Sequence, residues 1–248
     1  MSVHAQMDSI EIKKYQIEQD KIWDSICTAD TQLAVEEIKL GKLTYVIPKG
    51  MVEMFDSDKE LNQLLKKYKI KTTPQGIFCT VPYEKQFCYG DLMNKEIEKL
   101  YGSNFIEKKR EEAEKIYITK NIYKIFPGNE CDRNHSIYPL AKNVDEYIDR
   151  YRGDYFKDFT YPANYIHRKE GDLYSHTDIE FILTRKGKIK NLKVHSTFHN
   201  PYNQKFAKEF EEKAKDFIQN ISWIPNKKSE ITVKSKETLT FLYDKDDR

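Results

Sequence analysis

An α+β fold in two domains is what this 248-residue chain predicts, and three observations carry the prediction. Apolar residues recur at helical spacing from Phe206 to Ile221. They alternate with polar residues at the two-residue period of strands over Thr177 to Thr184 and Ile231 to Tyr243, and Phe126-Pro127-Gly128 interrupts the chain near its midpoint. The expected boundary places a mixed helix and strand domain at residues 7–122. An antiparallel sheet with helices packed on one face follows at residues 123–248. Each half is long enough to bury a core.

In the first half, Ile12, Tyr15, Ile22, Trp23 and Ile26 predict an amphipathic helix ending near Cys27. A second helix then turns Leu33, Ala34 and Ile38 inward, and Gly41 supplies a left-handed stop before the strand from Lys42 to Ile47, closed by Pro48. Asp58 is expected to cap a helix with Leu61, Leu64, Leu65 and Tyr68 on its inner face. Ile70 to Val81 reads as extended, interrupted at Pro74 and Gly76. Asp91 opens a helix that buries Leu92, Met93, Ile97, Leu100 and Tyr101 and stops at Gly102, and a charged helix runs from Ser103 to about Asn121.

In the second half, Val144, Tyr147, Ile148 and Tyr151 form a helical stripe before Phe159-Thr160-Tyr161-Pro162. Ile179, Phe181 and Leu183 then alternate against Asp178, Glu180 and Thr184, so one face of that strand is buried. Arg185 to Lys188 reads as a hairpin turn with Gly187 at positive φ. Ile189 is out of phase with Leu192 and Val194, which predicts a bulge near Asn191. Asn200-Pro201 starts a helix whose Phe206, Phe210, Ala214, Phe217 and Ile218 cover a sheet face. Trp223-Ile224-Pro225 ends that segment, and a long final strand, kinked where polar residues interrupt it, runs from Ile231 to Tyr243.

Composition excludes several functions. Charged residues make up 33% of the chain but nearly cancel, at +2 net, and Lys and Glu are intermixed along helical faces. Such a surface is solvated, so no nucleic-acid partner is expected. The 17 Tyr and 13 Phe supply core volume. No apolar run approaches the roughly 20 residues that span a bilayer, so no transmembrane segment is expected. Ser2-Val3-His4-Ala5-Gln6 reads either as the tail of a removed secretory signal peptide or as an ordinary terminus.

Screening for chemistry returns little. The chain holds no nucleophile elbow, phosphate loop, zincin helix or dinucleotide fingerprint, and neither cofactor nor metal is expected. His195 and His199, if on one strand, stand about 13 Å apart, too far to share a metal. Cys131, Asp132 and His135 have the residue types of a nucleophilic site, but loop polarity explains them more simply. Four cysteines, Cys27, Cys79, Cys88 and Cys131, are an even number. Cys79 and Cys88 flank the turn-like Pro82 to Lys85 and are the expected bridge; two bridges of different connectivity, one bridge, or none, stay open.

The order Tyr161-Pro162, Gly187 turn, Asn191, amphipathic helix, Trp223-x-Pro225 and terminal strand resembles the carboxy-terminal domain of TonB, which couples inner-membrane energy to outer-membrane receptors in the periplasm. The resemblance covers roughly half the chain, residues 126–246. The sequence departs from the family in having no membrane anchor and no Pro-rich spacer, and Lys186-Gly187 stands where Asp-Gly is usual. The first half faintly resembles uncharacterised domains of secreted Bacteroidota proteins, through Ala34 to Gly41, Gly76 to Cys79 and Tyr101-Gly102. Together these imply a periplasmic or secreted, non-enzymatic binding or adaptor protein. In the family a receptor segment adds as a strand beside the terminal strand, which implicates Leu239, Phe241 and Tyr243 with Phe159, Tyr161 and Pro162 alongside. The implied partner is a protein or peptide, an outer-membrane protein segment among the candidates. A structural scaffold or homodimer with its sheet edge covered is the alternative reading, and an unrecognised enzyme in the first half is the second.

Overall fold

One continuous helix, α1 (Ser9–Lys39), stands where two were expected in this computed structural model, which describes residues 9–50, 55–132 and 140–244. No Gly or Pro interrupts that stretch, so nothing in the backbone breaks the helix at Cys27. The face it packs is the expected one only at Trp23, Ala34 and Ile38. Ala34 is buried, and Trp23, Cys27 and Ile38 are half-buried, whereas Tyr15, Ile22, Ile26 and Leu33 are exposed. Gly41 ends the helix at φ +68°, where Lys42 N–H donates to Glu37 O and Gly41 N–H to Ile38 O, both at 2.9 Å. These two bonds satisfy carbonyls that the helix end would leave bare.

The chain divides into two compact units, Met1–Tyr117 and Ile118–Arg248. In the first, β1 (Leu43–Gly50) and β2 (Ile70–Ile77) pair in parallel, and α2 (Asp58–Lys66) makes the crossover that parallel neighbours require. β2 runs through Pro74 and Gly76 without interruption, because each strand of a two-stranded sheet has an open side that needs no amide donor. Ser57, not Asp58, occupies the cap position of α2, and the Asp58 carboxylate instead pairs with Lys49 and, at 3.2 Å, Arg110. Leu43, Leu61, Leu64, Leu65, Ile70 and Ile97 form the core.

After α3 (Tyr83–Gln86) comes α4 (Cys88–Tyr101), which buries Met93 and Ile97 but leaves Leu100 and Tyr101 exposed; α5 (Phe105–Lys120) follows. Cys88 is bonded to Cys27 across a Cα separation of 5.3 Å, and Cys79 is a free, exposed thiol. The expected Cys79–Cys88 bridge is therefore corrected. α1 and α4 pack together and bring Cys27 to Cys88, while the Gln86 side chain, bonded to Phe78 N and O and to Val81 O, closes the loop that carries Cys79.

The second unit is built on a four-stranded sheet in the order β3-β8-β4-β5, with β3 (Ile125–Pro127), β4 (His176–Leu183), β5 (Ile189–Thr197) and β8 (Lys234–Leu242). β4 pairs antiparallel with both neighbours, but β3 lies parallel on β8, so the sheet is mixed and not purely antiparallel. Gly187 adopts φ +70° in the β4–β5 turn, and a Cβ there would run into the Trp223 carbonyl oxygen. Opposite Phe181 the β4–β5 register shifts by one residue at Asn191, which takes φ +53° as bulge residues do. The final strand breaks at Val233, whose N–H leaves the ladder to bond Asn226 O; the preceding piece, β7 (Ile231–Thr232), pairs with β6 (Lys227–Lys228).

Ile179, Phe181 and Leu183 on β4 share one sheet face with Leu239 and Phe241 on β8, and Tyr243 just past its end joins the same core. That face packs with Tyr147, Tyr151 and Tyr155 of α6 (Val144–Phe156) and Phe210, Ala214 and Ile218 of α7 (Ala207–Asn220). Phe210 has no exposed surface, and truncating it to Ala costs roughly 3 kcal/mol or more. A 3₁₀ turn, Pro201–Phe206, precedes α7, and Asn200 caps it by accepting from Tyr202 N–H at 3.0 Å. Ser2 to Gln6 and His135 lie outside the described residues.

Candidate functional site

Sheets have two edges, and in the second unit they are treated differently. On β5, Lys190 and Lys193 bracket the Asn191 bulge, and Glu211 of α7 accepts from the Ser196 N–H at 3.0 Å. Charge, a bulge and a capped amide all discourage pairing, so this edge is guarded. A groove of about 450 Å³ runs beside it, lined by Gly187, Lys190, Leu192, Gln219 and Trp223.

The β8 edge is partly covered and partly open. Tyr243 N–H donates to Ser175 O at 2.9 Å, which fixes the phase of the β4–β8 ladder. Backbone groups of odd residues in β8 therefore point to β4, and those of Lys236, Thr238, Thr240 and Leu242 point away from it. β3 takes up Lys234 to Lys236 and ends at Pro127. Among the described residues no strand pairs with the outer side of Thr238 to Leu242. There a side chain reaches the outward backbone, the Tyr151 hydroxyl donating to Thr240 O at 3.3 Å.

The structure places the side chains expected to bind on the inside. Leu239, Phe241 and Tyr243 are buried, with the Tyr155 ring stacked 3.7 Å over Phe241 and Phe159 5.6 Å from Tyr243. Tyr161 is half-buried, its hydroxyl accepting from Asp244 N–H at 2.9 Å, and Pro162 O accepts from Tyr165 N–H. What could reach a partner is the backbone of the alternate residues, with the Thr238, Thr240 and Leu242 side chains on the opposite face of the sheet. The strand end is fixed by Asp244, which bonds His167 Nδ1 at 2.6 Å and accepts from Arg168 N–H at 3.1 Å. The sequence reading missed Tyr151 as an edge cap and β3 as a partial cover. The first is a helical aromatic like many others, and the second is a three-residue strand paired across a hundred residues.

A buried polar cluster sits behind the start of β8. Glu237 is buried opposite Phe181, with Asn226 Nδ2 donating to its carboxylate at 2.7 Å and to Ser235 Oγ at 3.0 Å. Burial raises the Glu237 carboxyl above the usual range, and these neighbours offset only part of that. The Cys131 thiol is pushed up to about 12, first by burial and then by Glu237. It remains a thiol at neutral pH and a poor nucleophile. Asp132 is engaged by the β6–β7 turn, its two oxygens accepting from Ser229 N–H at 2.5 Å and Glu230 N–H at 2.7 Å.

The histidine pair is divided between carboxylates. His195 Nδ1 lies 3.8 Å from Glu211 and His199 Nε2 lies 3.7 Å from Asp172. Among the described residues no group of three His, Cys, Asp or Glu is arranged to hold a metal ion, and no helix is long and apolar enough to cross a membrane. No family model matches the chain, and neither does any curated protein or solved structure.

Proposed function

We propose that the second unit is a TonB-like binding module that accepts an extended peptide on the β8 edge and serves a non-enzymatic adaptor role in an oxidising, extracytoplasmic compartment. The observation that carries the proposal is the outer edge from Thr238 to Leu242, with which no strand of the described residues pairs, while the β5 edge at the other side of the sheet is guarded. The hairpin, helix and terminal strand, with Trp223 packed on Phe181 at 4.7 Å, support the resemblance. The Cys27–Cys88 bond supports the compartment, since such bonds persist where thiols are not kept reduced.

The edge offers the Thr238 N–H and C=O, the Thr240 N–H, and the Leu242 N–H and C=O. Five bonds at about 1 kcal/mol each, less about 2 kcal/mol or more for ordering the peptide, leave about 3 kcal/mol at most, which is millimolar affinity or weaker unless side chains add anchors. A segment of an outer-membrane protein is the partner class that the resemblance favours.

The test is selection of a displayed random-peptide library on the full chain, repeated with Thr240→Pro and Leu242→Pro. Each proline deletes an outward donor at an edge where proline is otherwise tolerated. Selected peptides should lose binding to both variants while the fold is retained. Peptides that bind the proline variants as well as the wild type, or a library that yields none, count against strand addition. They would favour the alternative that the sheet serves as a scaffold, for which β3 lying over Lys234 to Lys236 already speaks.

A further inference from the structure

Five exposed apolar residues fall on one line, four of them on α1 and the fifth, Leu40, just past its end with its N–H still bonded to Glu36 O at 3.2 Å; Ile17 and Val35 are exposed off that line. Tyr15, Ile22, Ile26, Leu33 and Leu40 are spaced by seven, four, seven and seven positions, so at about 100° per residue they lie within roughly 20° of one line. That line runs for about 38 Å at about 1.5 Å per residue. Their exposure ranges from 41% at Ile26 to 68% at Leu40, so the first unit does not bury them. Filling in the heptad gives Tyr15, Ile22, Ala29 and Glu36 on one position and Gln19, Ile26, Leu33 and Leu40 on the other.

We infer that this seam is a self-association surface on which a second copy of the chain docks its own α1 in antiparallel orientation. The occupant follows from how the seam matches itself. Run antiparallel with Ile26 against Ala29, the register places Tyr15 against Leu40, Ile22 against Leu33 and Gln19 against Glu36. Every apolar residue then meets an apolar one, and the two polar residues meet each other. One flank of the seam is occupied by the helix's own unit, where Trp23 lies 6.4 Å from Phe78 and Tyr89 OH donates to Glu37 at 2.5 Å.

The other flank, Glu18, Ser25, Gln32 and Lys39, is exposed and decides the orientation. The antiparallel register brings Glu18 beside Lys39 of the second copy twice over, once at each end. A parallel pair instead sets Glu36 against Glu36 and gives Glu18 no basic neighbour, and like charges facing across such a seam disfavour it. The surface belongs to the first unit and is independent of the β8 edge.

Sedimentation velocity of the full, oxidised chain should show a dimer that dissociates on dilution. Leu33→Glu, at an exposed position that leaves the monomer's thermal melt unchanged, should raise the dimer dissociation constant by about a hundredfold, because a charge is then buried in an apolar seam. Glu18→Lys and Lys39→Glu should each weaken the dimer by up to about tenfold, and the double variant should restore it. A chain that is monomeric at every concentration, or a dimer indifferent to Leu33→Glu, overturns the proposal. So does a double charge reversal that fails to restore association. Peptide capture on the β8 edge should be unaffected by Leu33→Glu.

Discussion

The Tyr151 hydroxyl of α6 donates to the carbonyl of Thr240, 89 residues away, and so occupies one acceptor on the outward edge of β8. A helix side chain here does what a neighbouring strand would otherwise do, and it does so for one group only. Tyr151→Phe keeps the ring that packs 5.7 Å from Phe241 and removes the donor. The variant should lose on the order of 1 kcal/mol of stability while binding edge-seeking peptides a few-fold more tightly, because Thr240 then presents a free acceptor. Titration of a selected peptide into both proteins checks this. Weaker binding by the variant would mean that the hydroxyl contacts the peptide itself.

The disulfide gives a second prediction. Cys27 and Cys88 are 61 positions apart, and closing a loop of that length removes denatured-state freedom equivalent to about 4 kcal/mol in the chain-entropy model. Denatured but unreduced protein should therefore show two reactive thiols, Cys79 and Cys131, and reduced protein four. Replacing Cys27 and Cys88 with Ser should lower the stability of the first unit by about 2–4 kcal/mol. Finding Cys79 protected in the oxidised protein would contradict the observed pairing.

The difference between the Cys79–Cys88 expectation and the Cys27–Cys88 bond shows what the sequence could reveal and what it could not. Features set by neighbours along the chain were legible. The alternation of Ile179, Phe181 and Leu183, the helical spacing of Phe210, Ala214 and Ile218, the positive φ of Gly187 and the bulge at Asn191 all follow from local rules. Features set by distant partners were not: the bridge depends on α1 lying against α4, and β3 depends on three residues finding β8 in parallel. In α1 the larger apolar residues suggested the inner face. The helix packs through Trp23, Cys27, Ala34 and Ile38, three of which the spacing places inside, and leaves Tyr15, Ile22, Ile26 and Leu33 outside. The candidate edge was half legible. The odd apolar residues of β8 mark the buried face, but which residues turn their backbone groups outward is set by the pairing with β4, a distant partner.

Gly187 tests the turn that joins β4 to β5. Its φ of +70° disfavours any side chain, and a Cβ would meet the Trp223 carbonyl oxygen, which is backbone and has little room to yield. Gly187→Ala should destabilise the second unit by about 1–3 kcal/mol. Gly171, at φ +86° with open space around it, is the control, because its alanine variant carries the backbone strain without the clash. Chemical denaturation should rank Gly187→Ala clearly below Gly171→Ala. Equal losses would assign the whole effect to backbone conformation.

Glu237 gives a prediction about pH. Burial raises its carboxyl above the ordinary value of 4.5, so the folded protein holds this proton more tightly than the unfolded chain. A group shifted in that direction contributes stability that is full below the unfolded value and is lost as pH climbs through the raised folded value. Glu237→Gln cannot ionise, and its side-chain oxygen still accepts from Asn226, which donates to Glu237 at 2.7 Å. Wild type and variant should therefore differ least near pH 4.5. By about pH 8 the variant should be the more stable, by on the order of 1 kcal/mol, because it escapes the cost of a buried charge. Denaturant unfolding of both proteins at the two pH values measures the change. An unchanged difference would mean that the Glu237 carboxylate is fully satisfied in its ionised form, and that the cluster around Asn226 and Ser235 holds a charge without penalty.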